Sequence, residues 1–115
     1  MSWQANIELR VTHLGVRHHQ ICQALGVSAQ GWYGMRTAQN PTLRTMKIVG
    51  AALAIPHHLL IGGSPSDMVT APIPQWDWLG WLKAETSLGL QGSEISFDML
   101  KEKSAEIGML FEVSR

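Results

Sequence analysis

The hydrophobic positions near the N-terminus follow the period of an α-helix. Four apolar residues recur at intervals of four, four and three, and they are Trp3, Ile7, Val11 and Leu14. This spacing keeps the four side chains on one face of a helix. The pattern therefore predicts a first helix from Trp3 to about His13, with an apolar face that packs against the rest of the chain.

Two short helices separated by a tight turn are predicted next. An apolar segment from about Arg17 to Leu25 ends at Gly26, a residue type that adopts positive φ without a Cβ clash. Ser28 follows, and its hydroxyl can accept a hydrogen bond from a backbone N–H at the start of a third helix, which ends near Arg36. Helices joined by so short a turn cross steeply, so the second of them can be presented to a groove.

Two more helices and a linker complete the predicted N-terminal half. Thr42 is the expected cap of a fourth helix, whose apolar stripe is Leu43, Met46, Val49 and Leu53. Pro56 begins a short fifth helix, at a position where its missing N–H costs little. The chain from Gly62 to Pro74 is rich in Gly, Ser and Pro, which is typical of a linker. We therefore expect one domain over residues 1–63 and a linker over 64–74.

The remaining residues, 75–115, are expected to form a helical extension. A tryptophan-rich segment runs from Gln75 to Thr86, and an amphipathic helix is predicted from Ser93 to Phe111. So many large apolar residues in a short segment are typical of subunit contacts. The candidate dimer or partner interface is Trp76, Trp78, Trp81, Leu82, Phe97, Leu100, Ile107 and Phe111. The alternative is that the tryptophan-rich segment packs as a wedge against the first five helices.

Charge is distributed unevenly, although the 115 residues have a formal net charge of zero. Residues 1–60 hold five Lys or Arg against Glu8 alone, a net +4, and residues 61–115 hold four against eight acids, a net −4. A basic half joined to an acidic half suits a module that faces phosphates and a second module that faces away from them.

The single cysteine, Cys22, excludes an internal disulfide, and a reducing cytoplasm is its simplest context. We expect no membrane span, because the chain has no apolar run of sufficient length.

The order of these residues resembles the DNA-binding domain of the Cro/C1-type (XRE family) helix-turn-helix proteins, among them phage repressors. The positions that carry the resemblance are Gly15, Ile21, Leu25-Gly26-Val27-Ser28, Trp32, Met35, Asn40-Pro41-Thr42-Leu43, Ala52-Leu53, Ile55 and Leu59-Leu60. The resemblance covers about half of the chain and ends before Gly63. It implies an all-α, five-helix, lambda-repressor-like DNA-binding domain, here with a helical C-terminal extension. It also implies a homodimeric transcriptional regulator, a repressor of phage or mobile-element type, that binds double-stranded DNA.

The same resemblance assigns candidate contacts, because the third helix of that family lies in the major groove. The implied base contacts are Ala29, Gln30, Tyr33 and Gly34. The implied phosphate contacts are Arg17, His18, His19, Ser28, Arg36, Thr37, Gln39, Asn40 and Arg44. The chain departs from the family at Arg17, where Ser or Thr usually caps the second helix, and at Arg36, where an acidic residue is common. Gly31 and Gly34 each cost the third helix about 1 kcal/mol against alanine.

Other chemistry is less well supported by the sequence. The pairs His18-His19 and His57-His58 are adjacent, so their side chains diverge on a helix, and the spacings of zinc motifs are absent. We therefore predict no metal and no cofactor, although a pH response of the histidines stays open. No nucleophile elbow, phosphate loop or catalytic carboxylate pair is present, so an enzyme is not expected. The alternative function is a protein-interaction module or antitoxin-like partner that retains the fold, because the charge is low and the third helix contains Ala29 and two glycines.

Overall fold

The chain folds mostly into helices in the computed structural model, which describes residues 3–89, 95–108 and 111–112. The elements within these ranges are α1 (Trp3–Leu14), α2 (His18–Leu25), α3 (Ala29–Arg36), α4 (Leu43–Ala52), α5 (His57–Gly62), α6 (Pro65–Thr70), β1 (Ile73–Pro74), α7 (Trp78–Ser87), α8 (Phe97–Glu106) and β2 (Phe111–Glu112). The two strands form one short antiparallel pair, with Ile73 opposite Glu112 and Pro74 opposite Phe111. The expected helical class is confirmed at this coarse level.

Local sequence signals determine where α2, α3 and α4 begin and end. Gly26 has a φ of 67° and ends α2 as predicted. Ser28 Oγ accepts from the Gly31 N–H at 3.0 Å and Thr42 Oγ1 accepts from the Thr45 N–H at 3.2 Å, so both predicted caps are confirmed. Arg17 provides no side-chain cap for α2, but the Gln20 side chain accepts from the Arg17 backbone N–H at 2.8 Å. This bond supplies half of a capping box and compensates in part for the missing Ser or Thr.

The face of helix α1 that packs against the rest of the chain contains both apolar and polar side chains. Trp3, Ile7 and Val11 are buried as predicted, but Asn6 and Arg10 beside them are fully buried too. The Asn6 Nδ2 donates to the carbonyls of Leu60 at 3.0 Å and Gly63 at 3.1 Å, at the end of α5. The Trp3 indole N–H donates to the Met35 carbonyl at 3.0 Å, in the last turn of α3. These bonds satisfy carbonyl groups that have no partner within their own helices.

Arg10, on the same face of α1, donates hydrogen bonds to the C-terminal ends of two more helices. Its Nε donates at 3.0 Å to the carbonyl of Leu53, and its Nη atoms donate at 3.0–3.1 Å to those of Ala54, Met68, Ala71 and Pro72. All five guanidinium hydrogens therefore have an acceptor at the C-terminal ends of α4 and α6, where the helix dipoles also favour a cation. Burial lowers the pKa of the Arg10 guanidinium from its ordinary value to about 10.

The prediction of a linker over residues 64–74 is wrong, because residues 65–70 form helix α6 against α1. Ser64 caps this helix. The Asp67 N–H donates to Ser64 Oγ at 3.4 Å and the Ser64 N–H donates to Asp67 Oδ2 at 2.9 Å. Pro65 occupies the first turn, and Met68 is fully buried in the core. The Ser and Pro residues that suggested a linker are in fact helix-start signals.

The C-terminal helices pack on the N-terminal ones and form a second hydrophobic cluster with residues of α2 and α4. Helix α7 packs on α2, and α8 packs on α4. The Trp78 indole N–H donates to the Ala52 carbonyl at 3.0 Å, and the Thr86 hydroxyl lies 3.0 Å from the Ala24 carbonyl. Leu82 and Leu100 are fully buried. The prediction that Trp78, Leu82 and Leu100 contact another subunit is therefore wrong, because these side chains are enclosed within their own chain. For this segment the alternative of a wedge against the first helices is confirmed.

The last predicted helix is shorter than expected. Helix α8 spans Phe97–Glu106, and Gly108 follows with a φ of 70°, a left-handed conformation that ends a helix readily at glycine. Phe111 lies in β2 rather than in the helix, so the prediction of a helix to this residue is wrong. Ser93, where that helix was expected to begin, and the side chain of Phe111 lie outside the described part of the structure.

Candidate nucleic-acid interface

Helix α3 has one buried face and one exposed face. Trp32 points inward with 1% of its surface exposed. The four predicted base-contact residues, Ala29, Gln30, Tyr33 and Gly34, are all exposed, and Tyr33 retains 56% of its accessible surface. Positions i, i+1, i+4 and i+5 share one side of a helix, so the four residues form one continuous outward surface.

The buried face of α3 is anchored to α2 by a side-chain hydrogen bond. The Trp32 indole N–H donates to His18 Nδ1 at 2.8 Å, and the two rings are tilted by 44° with centroids 6.2 Å apart. Indole can only donate, so Nδ1 must be the unprotonated nitrogen, and a neutral His18 carries its hydrogen on Nε2. Only this second nitrogen of His18 remains for a phosphate, and it faces a carboxylate.

That carboxylate belongs to Glu8 of α1, which sequence reasoning did not select. One oxygen, Glu8 Oε1, lies 3.0 Å from Arg36 Nη1 and 3.4 Å from His18 Nε2. The Arg36 guanidinium also lies 5.0 Å from the centroid of the Tyr33 ring, within the range of a cation–π contact. Glu8 is the sole acid among residues 1–60, a feature of the sequence that could have singled it out.

The outer sides of α2 and α3 enclose a groove of about 430 Å³. Its lining includes His18 and His19 from α2 and Ala29, Trp32 and Arg36 from α3. Two imidazoles, one guanidinium and the first turn of α3 thus surround one open space. Such an arrangement can receive an anionic group, because the N-terminal end of a helix also favours negative charge.

The other predicted phosphate contacts differ in whether they are exposed and have a hydrogen left to donate to a phosphate. Exposed residues around α2, α3 and the start of α4 are Arg17, His19, Ser28, Gln39, Asn40 and Arg44. Ser28 Oγ accepts the capping bond, so its O–H is still able to donate. The Thr37 hydroxyl donates to the Tyr33 carbonyl at 2.6 Å and cannot donate to a phosphate at the same time.

The positive charge that reaches the surface is smaller than the sequence suggests. Arg10 contributes to the formal +4 of residues 1–60 but is fully buried and bonded to carbonyls. Arg36 is paired with Glu8 and only 20% of its side chain is exposed. Arg17, Arg44 and Lys47 are the basic side chains left in this half. Binding of a polyanion here would therefore depend on few cations and on hydrogen bonds.

The other residues predicted to form a dimer or partner interface belong to the C-terminal extension. Trp76, Trp81 and Phe97 are half-buried, and Ile107 keeps 42% of its surface exposed. The Trp76 indole N–H donates to Ser104 Oγ at 2.7 Å, and its ring meets Trp81 edge to face at 5.6 Å. These two tryptophans are thus largely engaged within the chain.

The described part of the chain contains neither a candidate metal site nor a candidate membrane span. No group of three His, Cys, Asp or Glu side chains there could hold a metal ion, and Cys22 is buried as a free thiol. No helix in those ranges is long and apolar enough to cross a bilayer.

Comparison with protein-family models, with curated proteins and with solved structures found no match. The features of this chain that bear on function are the exposed face of α3, the anchoring of that helix through Trp32, and the polar and basic groups around it.

Proposed function

We propose that the chain is a sequence-specific transcriptional regulator that binds double-stranded DNA through α2 and α3. In this proposal the first five helices form a lambda-repressor-like domain, and the protein is a repressor of phage or mobile-element type. The observation that carries the proposal is the outward face of α3, which is exposed while its inward face is held by the Trp32–His18 bond. A helix that is anchored on one side and open on the other can enter the major groove as a rigid element.

The residues on that face have chemistry suited to reading base edges. The amide of Gln30 can pair with the N6 and N7 of adenine, with one donor and one acceptor. Tyr33 can reach a base or a phosphate through its hydroxyl. Ala29 and Gly34 have little or no side chain, so the helix backbone can approach the floor of the groove closely.

Backbone contacts would come from the helix starts and loops around α3. Arg17, His19, Gln39, Asn40 and Arg44 are exposed at these places. Phosphate contacts of this kind set the register of a protein on the duplex without reading its sequence. With so few free cations, we expect a moderate dependence of affinity on salt concentration.

Two copies are expected to bind together, because short helix-turn-helix sites are usually read as two half-sites about 34 Å apart. The burial of Trp78, Leu82 and Leu100 removes the centre of the surface first expected to join the copies. Ile107 and the half-buried Trp76, Trp81 and Phe97 remain as candidates for a contact with a second copy or a partner protein. Sedimentation velocity with and without duplex measures the number of copies directly.

The experiment that tests the proposal is a titration of a fluorescent duplex from the region upstream of the gene, beside a scrambled duplex, at several salt concentrations. We expect tighter binding of the native duplex. The double variant Gln30→Ala with Tyr33→Ala should lose this preference while its melting temperature stays near that of the parent. Gln75→Ala, at an exposed position before α7, is the matched control and should bind normally. Unchanged preference in the double variant would refute the assignment of α3.

A second candidate function is a protein-interaction module or antitoxin-like partner. The observation in its favour is the low surface charge, since Arg10 is buried and Arg36 is paired with Glu8. It predicts no duplex binding even at low salt and a stable complex with another protein. The same titration distinguishes the two candidates.

A further inference from the structure

Glu8 occupies a position where two helices direct basic groups toward one oxygen. Its Oε1 accepts from Arg36 Nη1 at 3.0 Å and lies 3.4 Å from His18 Nε2. The side chain of Glu8 is 45% exposed, so it is partly open to solvent. Arg36 and His18 are also two of the phosphate contacts that the family resemblance implies. One carboxylate therefore engages both groups where a DNA phosphate would need them.

The two basic groups have few other partners. The Arg36 guanidinium lies over the Tyr33 ring, and its buried Nε has no hydrogen-bond partner among the described atoms. His18 Nδ1 is used by the Trp32 indole N–H at 2.8 Å, which leaves Nε2 as its available nitrogen. Glu8 therefore supplies the main anionic contact of both side chains.

We propose that Glu8 is an internal competitor for phosphate, which holds Arg36 and His18 in the free protein and weakens their contact with the DNA backbone. This inference depends on the proposed function. Ion pairs at a partly exposed site contribute little to stability, so a phosphate can displace the carboxylate at low cost. The displaced carboxylate then lies close to the polyanion and repels it. Both effects lower affinity for DNA of any sequence.

The test is the variant Glu8→Gln, which keeps the size and the acceptor oxygen of the side chain but removes its charge. We expect about one more phosphate contact to be effective, which raises duplex affinity about tenfold at 50 mM salt and steepens the salt dependence by about one charge. The native and scrambled duplexes should gain equally, because phosphates carry no sequence information. Glu102→Gln, on the exposed face of α8, makes the same change in net charge and should give little gain.

A second pair of variants locates the effect. Arg36→Gln should weaken binding, and adding Glu8→Gln to it should recover much less than tenfold, because the freed partner is missing. An equal gain in Glu8→Gln and Glu102→Gln would overturn the inference in favour of net charge alone. Unchanged or weaker binding in Glu8→Gln would also overturn it, since Glu8 would then be holding Arg36 in a productive position.

A measurement without DNA separates this inference from the proposed function. We would titrate inorganic phosphate into labelled protein and follow the side-chain NMR signals of Arg36 and His18. Glu8→Gln should respond at lower phosphate concentration than the parent, and an identical response would overturn the inference. If phosphate distinguishes the two proteins but neither binds a duplex at low salt, the inference stands as anion competition and the proposed DNA-binding function fails.

Discussion

Replacing Arg10 by lysine should strongly destabilise the fold, although it keeps the net charge. The guanidinium donates five hydrogen bonds to five carbonyl groups, whereas an ammonium has three hydrogens to donate. At least two carbonyls at the ends of α4 and α6 then lose their partner. A buried polar group without a partner costs about 1–3 kcal/mol, so Arg10→Lys should lower the free energy of unfolding by about 2–6 kcal/mol.

That loss is large for a domain of this size. At about 0.05–0.15 kcal/mol per residue, a chain of 115 residues has a total stability of roughly 6–17 kcal/mol. A change of 1 kcal/mol corresponds to about 4 °C in melting temperature, so we expect a decrease of at least about 8 °C. Urea unfolding followed by circular dichroism measures the free energy. Arg44→Lys, at an exposed position on α4, is the control and should change it by less than about 0.5 kcal/mol.

The pH dependence of stability provides an independent check. Burial lowers the pKa of Arg10 to about 10, so below about pH 9 both the folded and the unfolded parent hold this proton and Arg10 contributes no slope. A buried lysine has its pKa lowered below the ordinary value of about 10.4. Between the lowered pKa and 10.4 the unfolded variant binds more protons, so its stability should rise with pH relative to the parent. A loss below about 1 kcal/mol without this slope would refute the role assigned to the five carbonyl bonds.

Two further predictions concern α3 and α7. Gly34→Ala should raise the melting temperature by about 4 °C, since alanine favours a helix by about 1 kcal/mol and its Cβ would meet no atom within 4 Å. The added methyl group lies on the proposed base-contact face and should weaken duplex binding. Gly31→Ala should gain less stability, because its Cβ would lie 3.2 Å from Ser28 Oγ. An unchanged melting temperature in Gly34→Ala would contradict the helical role of this position. Leu82→Ala should lower the free energy of unfolding by about 2–5 kcal/mol in a single urea transition, because this side chain is fully buried. A separate transition for the C-terminal helices, or no loss, would contradict the packing of α7 on α2 and of α8 on α4.

Much of the helical framework could be predicted from local patterns. The apolar face of α1, the glycine that ends α2, and the caps Ser28 and Thr42 depend on residues within a few positions of one another. The same holds for the exposure of Gln30 and Tyr33, which follows from the period of α3 once Trp32 is assigned to the core. Helical periodicity and capping are properties of short segments, so the sequence can report them without knowledge of the fold.

The tertiary structure decided which of those segments meet, and there prediction failed. A serine- and proline-rich segment became α6 because Met68 and the capping residues Ser64 and Asp67 favour a helix that can pack on α1. The tryptophan-rich segment packs on the first helices of its own chain, where Trp78 and Leu82 form a second hydrophobic cluster with alanines of α2 and α4.

The sequence by itself determined the first five helices and the outward face of α3, because both follow from neighbours along one chain segment. Only the tertiary structure decided the partners of the charged residues. The bonds from Arg10 reach 43 to 62 positions along the chain, and Arg36 meets Glu8 at a separation of 28. Both arginines count as positive charge in the composition, yet one is buried against carbonyl groups and the other is paired with an acid. No local pattern encodes such distances, because they depend on how all the helices pack together.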